Sequence, residues 1–119
     1  MSTSIIMMPL TPFESALVIH LIADWLLQNE WMAVNKVRLN HPAAWVHGGI
    51  HGVLLGWALG WKAGLVLGIV HMLVDTRIPL IWWVRVFKRC QGSPDYNLLL
   101  MGCDQVIHIG CIAAWLALR

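Results

Sequence analysis

Five of the six histidines in this chain, together with three aspartates, form four pairs with one spacing. The pairs are His20 with Asp24, His47 with His51, His71 with Asp75, and Asp104 with His108. Residues four positions apart lie one turn above each other on the same face of an α-helix, so each pair can direct two side chains at a common point. Imidazole and carboxylate groups together suit zinc, iron or manganese. The spacing therefore predicts a metal site between helices, with all eight residues as candidate ligands.

The number and charge of these side chains favour two metal ions. Eight donors exceed the four that a tetrahedral zinc ion takes. Two divalent ions carry four positive charges, three aspartates carry three negative charges, and a bridging hydroxide adds a fourth negative charge, so the sum is zero. We therefore predict a dinuclear hydrolytic centre, with zinc as the first choice and iron or manganese as alternatives. A metal-free network of His–Asp hydrogen bonds is the other way to neutralise the cluster. In a metal site, some aspartates would orient a histidine instead of binding the ion.

Polar residues next to the pairs are candidates for substrate binding: Gln28 one turn beyond Asp24, Gln105 beside Asp104, and Arg77 two residues beyond Asp75. Guanidinium and amide groups bind phosphate and oxyanion oxygens. Arg77 fits equally well as a cation that reaches the membrane surface. The catalytic candidates are the aspartates, because one that is not fully engaged with metal can act as a general base: Asp24, Asp75 and Asp104.

The composition is typical of a membrane protein. Of the 119 residues, 59% are hydrophobic and 12% are charged, and the mean hydropathy is +0.69. Four apolar segments, at about 13–32, 43–61, 63–78 and 98–118, are long enough or nearly so to cross a bilayer. A soluble bundle would need a polar outer face on each helix, and none of the four offers one. The predicted fold is one integral membrane domain, residues 1–119, an all-α up-and-down bundle of four transmembrane helices.

Glycine recurs every fourth residue along the second segment and into the third: Gly48, Gly52, Gly56, Gly60, Gly64 and Gly68. Such a stripe lets helix backbones approach closely in lipid. It runs beside His47 and His51, so a closely packed partner helix would hold these two rings at a fixed angle. The alternative is that glycine is simply tolerated here, as it often is in membrane helices.

Pro79 interrupts the third segment, because it lacks the N–H that would bond the carbonyl of Asp75. One version is a kinked span that continues to Phe87. The other is a shorter span that ends near Arg77, followed by an interfacial helix at about 79–89. We prefer the second version.

The distribution of basic residues predicts the orientation. They concentrate in or beside the first and third loops, with fewer on the other face: Lys36, Arg38, Arg85, Lys88 and Arg89 against Lys62 and Arg119. The positive-inside rule then places both termini outside the cytoplasm, in a bacterial inner membrane. At about 1.5 Å per residue, the four pairs fall in one layer nearer the cytoplasmic side. The scattered basic residues argue against nucleic-acid binding. Expected partners are membrane lipids, and a second copy or a larger membrane protein.

The order of these motifs resembles a known family. The likeness rests on the run from His20 through Asp24, Gln28 and Trp31 to Asn35-Lys36, then the His47–His51, His71–Asp75 and Asp104–His108 pairs. It covers nearly the whole chain and points to the small bacterial and phage membrane proteins catalogued as domain of unknown function 3307. That resemblance implies no activity. The helical H-x-x-x-D pairs are also similar to those of zinc-dependent phospholipase C and of membrane-bound metal-dependent hydrolases, although the extra phospholipase ligands are missing.

Three functions remain open at this point. The first is an intramembrane metal-dependent hydrolase that acts on a phosphoester, such as a lipid or lipid-linked substrate from the cytoplasmic leaflet. The second is a transporter or channel subunit for metal ions or protons. The outer halves of the second and fourth segments lack the polar residues that such a path needs. The third is a scaffold that metal stabilises for assembly with a larger membrane protein.

Overall fold

The computed structural model describes residues 10–119, and within this range it contains helices and loops but no strand. The helices are α1 (Pro12–Leu21), α2 (Glu30–Asn35), α3 (Pro42–Leu59), α4 (Trp61–Asp75), α5 (Ile78–Trp83) and α6 (Tyr96–Leu118). Two π-helical segments, Ile22–Leu26 and Val84–Lys88, directly follow α1 and α5. The all-α class predicted from the sequence is confirmed. By length and composition, α6 can cross a membrane, and α4 with Ile78–Lys88 forms a second such span if the two are taken together.

The first predicted segment, 13–32, is not one continuous helix. α1 begins at a capping box, in which the Thr11 hydroxyl accepts from the Glu14 N–H at 3.1 Å and the Glu14 carboxylate accepts from the Thr11 N–H at 2.8 Å. The π segment ends where the Leu27 N–H donates to the Ile22 carbonyl, five residues back, at 3.0 Å. Gln28 therefore lies in a break, and not on a further turn of the same helix.

A new helix starts directly after that break. The Asn29 side chain accepts from the Met32 N–H at 2.9 Å and so caps α2. Asparagine is strongly favoured at this position because it satisfies a backbone donor that has no partner within the helix. α2 packs against α3 and ends at Lys36. The end of the predicted segment 13–32 is therefore the start of a separate short helix, which Asn29 caps.

The glycine stripe brings α3 and α4 into close contact. A Cβ added to Gly64 would lie 2.6 Å from Gly56 Cα and would also collide with the Gly52 carbonyl oxygen. A Cβ added to Gly52 would lie 3.1 Å from the Gly64 carbonyl oxygen. The close approach predicted from the four-residue spacing is therefore present, and larger side chains at these positions would separate the helices that carry four of the histidine and aspartate candidates.

The helix of the third predicted segment breaks before Pro79, where the sequence predicts either a kink or a helix end. α4 stops at Asp75, and Arg77 has a φ of 67°, a left-handed conformation that a non-glycine residue seldom adopts. Pro79 then lies in the first turn of α5, where its missing N–H costs no helical hydrogen bond. The helix axis bends by 51° at this point. The observed bounds of the two parts are Trp61–Asp75 and Ile78–Lys88, against 63–78 and 79–89 from the sequence.

Candidate metal centre

The four sequence pairs meet between α1, α3, α4 and α6. His20 is in α1 and Asp24 in the π segment that follows it, whereas the other pairs lie within α3, α4 and α6. All five histidines are buried, and so are Asp24 and Asp75. Asp104 is the exception, since its side chain keeps 14% exposure. The helices therefore bring together, away from solvent, ionisable groups that would each be costly to bury alone.

Asp24, His47, His51 and His71 form a first group of donors. Asp24 Oδ1 lies 3.0 Å from His47 Nε2 and 2.9 Å from His51 Nε2, and 3.8 Å from His71 Nε2. One ligand atom from each of the four residues lies within 4.8 Å of all the others. Donors around a tetrahedral zinc ion with bonds of about 2.0–2.1 Å are separated by about 3.3 Å. These atoms could therefore hold a metal ion with small adjustments of the side chains.

His71, Asp75 and His108 form a second, adjoining group. His71 Nε2 lies 2.8 Å from Asp75 Oδ2, and His108 Nε2 lies 3.2 Å from Asp75 Oδ1. Within residues 10–119, neither of these two ring nitrogens has a hydrogen bond with acceptable angles, although both are buried. Buried polar atoms in proteins nearly always have a partner. His71 Nε2 and His108 Nε2 lie close to the Asp75 carboxylate without donating to it. Ligands of one metal ion have this arrangement.

One residue orients His108 through its backbone. His108 Nδ1 donates to the carbonyl oxygen of Asp104 at 2.8 Å, which leaves Nε2 free to face Asp75. Such a hydrogen bond to the second ring nitrogen fixes the orientation of metal-binding histidines. The Asp104 carboxylate itself lies 3.6 Å from His108 Nδ1 and is the most accessible carboxylate of the cluster.

His20 and Gln105 border the first group. His20 Nε2 donates to Gln105 Oε1 at 3.0 Å, and Gln105 Nε2 donates to Asp24 Oδ2 at 3.1 Å and to Asp104 Oδ2 at 3.2 Å. His20 Nε2 also lies 3.4 Å from Asp24 Oδ2. Predicted from the sequence as a ligand, His20 is brought to the cluster but lies outside both donor groups. Gln105, predicted as a substrate contact, links two of the aspartates.

Lys36 is part of the site, and sequence reasoning treated it only as a loop cation. It has 9% exposure, and its Nζ lies 3.8 Å from Asp75 Oδ1. No residue spacing connects Lys36 to the pairs, because its position depends on the Asn29 cap and on the packing of α2 against α3. The nearest signal was its place at the end of the run that starts at His20.

A pocket of about 340 Å³ opens beside the cluster. Its lining includes all three residues predicted to contact substrate, two of the aspartates and the buried lysine: Gln28, Arg77, Gln105, Asp24, Asp104 and Lys36. On another side, the rings of His20, His51, His71 and His108 border only a void of about 10 Å³, closed by Leu55, Leu67 and Ile112. Those three residues belong to a buried apolar cluster with Ala16, Ile19 and Ala63. The His/Asp cluster thus has a polar approach on one side and apolar packing on the other.

The fold and this cluster define an all-α protein with buried His/Asp groups that could hold a metal ion. The chain belongs to the family described as "Protein of unknown function (DUF3307)", whose profile matches residues 13–118. The resemblance inferred from the four ordered motifs is therefore confirmed. Neither a curated protein nor a solved structure gives a significant match to the chain.

Proposed function

We propose that this protein is an integral membrane, metal-dependent hydrolase with a dinuclear site, acting on a phosphoester that approaches from the cytoplasmic side. The observation that carries the proposal is that the His/Asp cluster has a polar pocket on one side and apolar packing on another. A pocket lined by Lys36, Arg77 and Asp104 reaches it from one direction, and the apolar cluster around Leu55 and Leu67 closes another. Helices that carry candidate ligands next to a polar pocket suit a reaction centre.

The two donor groups support two ions. If His71 is assigned to the group that contains Asp75, to which its Nε2 is nearer, each ion has three protein ligands: Asp24, His47 and His51 for one, and His71, Asp75 and His108 for the other. Three protein ligands with an open position are typical of catalytic zinc. Zinc is the first choice for this donor set, with iron or manganese as alternatives. Paired ions lower the pKa of a bound water toward neutrality and neutralise the oxygens of the reacting phosphoryl group.

Asp104 is placed to act as the general base. Its carboxylate belongs to neither donor group, lines the pocket, and is held by Gln105 Nε2 at 3.2 Å. In the proposed reaction, Asp104 accepts a proton from water while the water oxygen forms a bond to phosphorus. The bond between phosphorus and the ester oxygen then breaks, and Asp104 returns the proton to the leaving oxygen. Asp24 and Asp75 bind the ions.

The membrane part of the proposal rests on the outer surface. Large apolar side chains are exposed on several helices, such as Val53 at 72%, Val106 at 70% and Leu26 at 76%. Of the residues in α6, only His108 and Ile112 are buried. Lipid contact explains why so apolar a surface is left uncovered. The four predicted spans would then enclose the cluster, with Ile78–Lys88 at the cytoplasmic interface, where its exposed Trp82 and Arg85 are favoured.

The direct test combines metal analysis with hydrolysis assays on the detergent-purified protein. We expect two equivalents of divalent metal per chain and metal-dependent hydrolysis of p-nitrophenyl phosphate or bis(p-nitrophenyl) phosphate. D75A should lose both metal and turnover. D104N should keep the metal and lose turnover by about 10²–10⁴-fold, the usual contribution of a general base. D95N, which changes an exposed aspartate in the loop before α6, is the matched control.

Three outcomes would separate the alternatives. An inert, metal-free protein that is stable in EDTA would contradict the proposal. Zinc or proton flux in proteoliposomes that D75A abolishes would support transport, which requires a path through the apolar side of the cluster. Full metal loading with no hydrolysis of any phosphoester, together with co-purification of a larger membrane protein that D75A disrupts, would support a metal-stabilised scaffold.

A further inference from the structure

Lys36 has an unusual position for a lysine. It is buried, ends the short helix α2, and lines the pocket that leads to the candidate metal centre. Lysine is seldom buried to this extent unless it is paired. Its nearest carboxylate oxygen, Asp75 Oδ1, is 3.8 Å from Nζ, which is beyond hydrogen-bond distance. Asp75 alone therefore does not satisfy the three donors of this ammonium group.

The charge balance of the proposed centre supports a role for Lys36 in ligand binding. Two divalent ions and three aspartates carry one net positive charge when the reacting water is neutral, and the hydroxide of the balance reached from the sequence removes it. The structure adds the buried Lys36 to this set, so the loaded centre keeps at least one positive charge. A buried charge without a counterion is costly. The pocket therefore favours a ligand that brings a negative charge close to Asp75 and the ions.

We propose that Lys36 binds a non-bridging oxygen of the phosphoryl group, and that the substrate is accordingly an anionic phosphate ester. This inference rests on the proposed function and deepens it. The exposed Arg77 lines the same pocket, so two cations border the approach to Asp24 and Asp104. A neutral carboxylic ester or amide would leave the extra positive charge uncompensated and is disfavoured. Lys36 is thus a substrate-binding residue and does not ligate metal.

The first experiment measures binding of inorganic phosphate to the metal-loaded protein by titration calorimetry. K36M should weaken phosphate binding by about tenfold or more, because a hydrogen bond to a charged group is lost. K36R should retain most of the affinity, and K62M, which removes an exposed lysine at the start of α4, should match the wild type. Metal equivalents should stay unchanged in all three variants.

A second measurement uses the wild-type protein, so that the inference can be tested even if K36M does not fold. The chain has three lysines, Lys36, Lys62 and Lys88, which give three NMR signals after ¹³Cε-lysine labelling. Phosphate should shift the Lys36 signal and leave the other two in place. Short-chain phosphatidic acid is titrated alongside. Tighter binding of the lipid would assign the phosphoryl group to a lipid headgroup, whereas equal binding would assign it to a water-soluble ester.

The two proposals fail in different ways. If the protein binds no divalent metal, the proposed function fails. If it binds metal and hydrolyses phosphoesters while K36M keeps wild-type phosphate affinity, or phosphate leaves the Lys36 signal unchanged, only the inference about Lys36 is overturned. Loss of metal in K36M with normal metal content in K36R would show that Lys36 serves as a structural counterion of Asp75, and would overturn it as well.

Discussion

The imidazole rings of His51 and His71 stack with their centroids 3.5 Å apart and an angle of 22° between their planes. His51 belongs to α3 and His71 to α4, so this contact measures how closely the two helices approach. The backbones can come this near because Gly52 and Gly64 face each other across the interface. Glycine packing and the geometry of the His/Asp cluster are therefore coupled.

The coupling predicts that a single methyl group in the α3–α4 interface will damage the site. G64A would place a Cβ 2.6 Å from Gly56 Cα and 2.8 Å from Gly56 N, which the backbone can relieve only by separating the helices. We expect a loss of stability of about 1–3 kcal/mol, the usual cost of overpacking, and fewer metal equivalents. Thermal unfolding in detergent and elemental analysis are the measurements.

G110A is the matched control for that variant. Gly110 also lies within a helix, α6, but an added Cβ there would have no neighbour within 4 Å in the described part of the chain. Its stability should stay the same or rise slightly, because alanine favours helix over glycine by about 1 kcal/mol. Equal effects of G64A and G110A would contradict the coupling of packing and site.

Metal stoichiometry should distinguish the two donor groups. His71 is common to both groups, whereas His108 belongs only to the group with Asp75. Because the proposed assignment gives both His71 and His108 to the ion bound by Asp75, H71A and H108A are each expected to lower the metal content from two equivalents to one. Loss of both ions in H71A alone would instead place His71 between the two groups. Elemental analysis of each purified variant measures this difference.

His41 provides the control for the loss of an imidazole. It caps α3 by accepting from the Ala43 N–H at 3.0 Å and lies outside both donor groups. H41A should cost about 1 kcal/mol of stability, as for the loss of a helix cap, and leave the metal content unchanged. If H71A binds as much metal as the wild type, the proposed ligand assignment is wrong.

Gln105 is expected to act as a positioning residue. Its amide joins Asp24 and Asp104 and receives a hydrogen bond from His20. Q105L removes these contacts at similar volume, so we expect metal to be retained while kcat falls about tenfold or more, in line with the loss of a hydrogen bond to a charged group. The KM for p-nitrophenyl phosphate should change little if Gln105 does not touch substrate. Q91L, at an exposed loop position, is the comparison; a fall in kcat as large as that of Q105L would argue against this role.

The topology can be tested with cysteine labelling in intact cells. Cys90 lies in the loop between α5 and α6, and the predicted orientation places it in the cytoplasm. With Cys103 and Cys111 changed to serine, a membrane-impermeant maleimide should label Cys90 only after the cells are opened. K62C in a background with C90S should be labelled from outside. The reverse pattern would invert the proposed orientation and the side from which substrate approaches.

Several features of this protein follow from local sequence alone. A spacing of four residues puts two side chains on one helical face whatever the helix packs against, so the four His/Asp pairs predicted a cluster before any contact was known. Pro79 acts on the backbone of its own segment, and the helix break near Arg77 follows from it. The four-residue spacing of the glycines puts them on one helical face, and the close packing of α3 against α4 follows from it.

Only the tertiary structure decided how the donors divide and what lies around them. The π segment that carries Asp24, the pairing of His20 with Gln105, and the approach of Lys36 to Asp75 depend on which helices meet and at what angle. Such contacts join residues far apart in the chain, so no local spacing encodes them. Whether an ionisable side chain is a ligand, a support or a counterion is set by neighbours within a few ångströms, and helix packing supplies those neighbours.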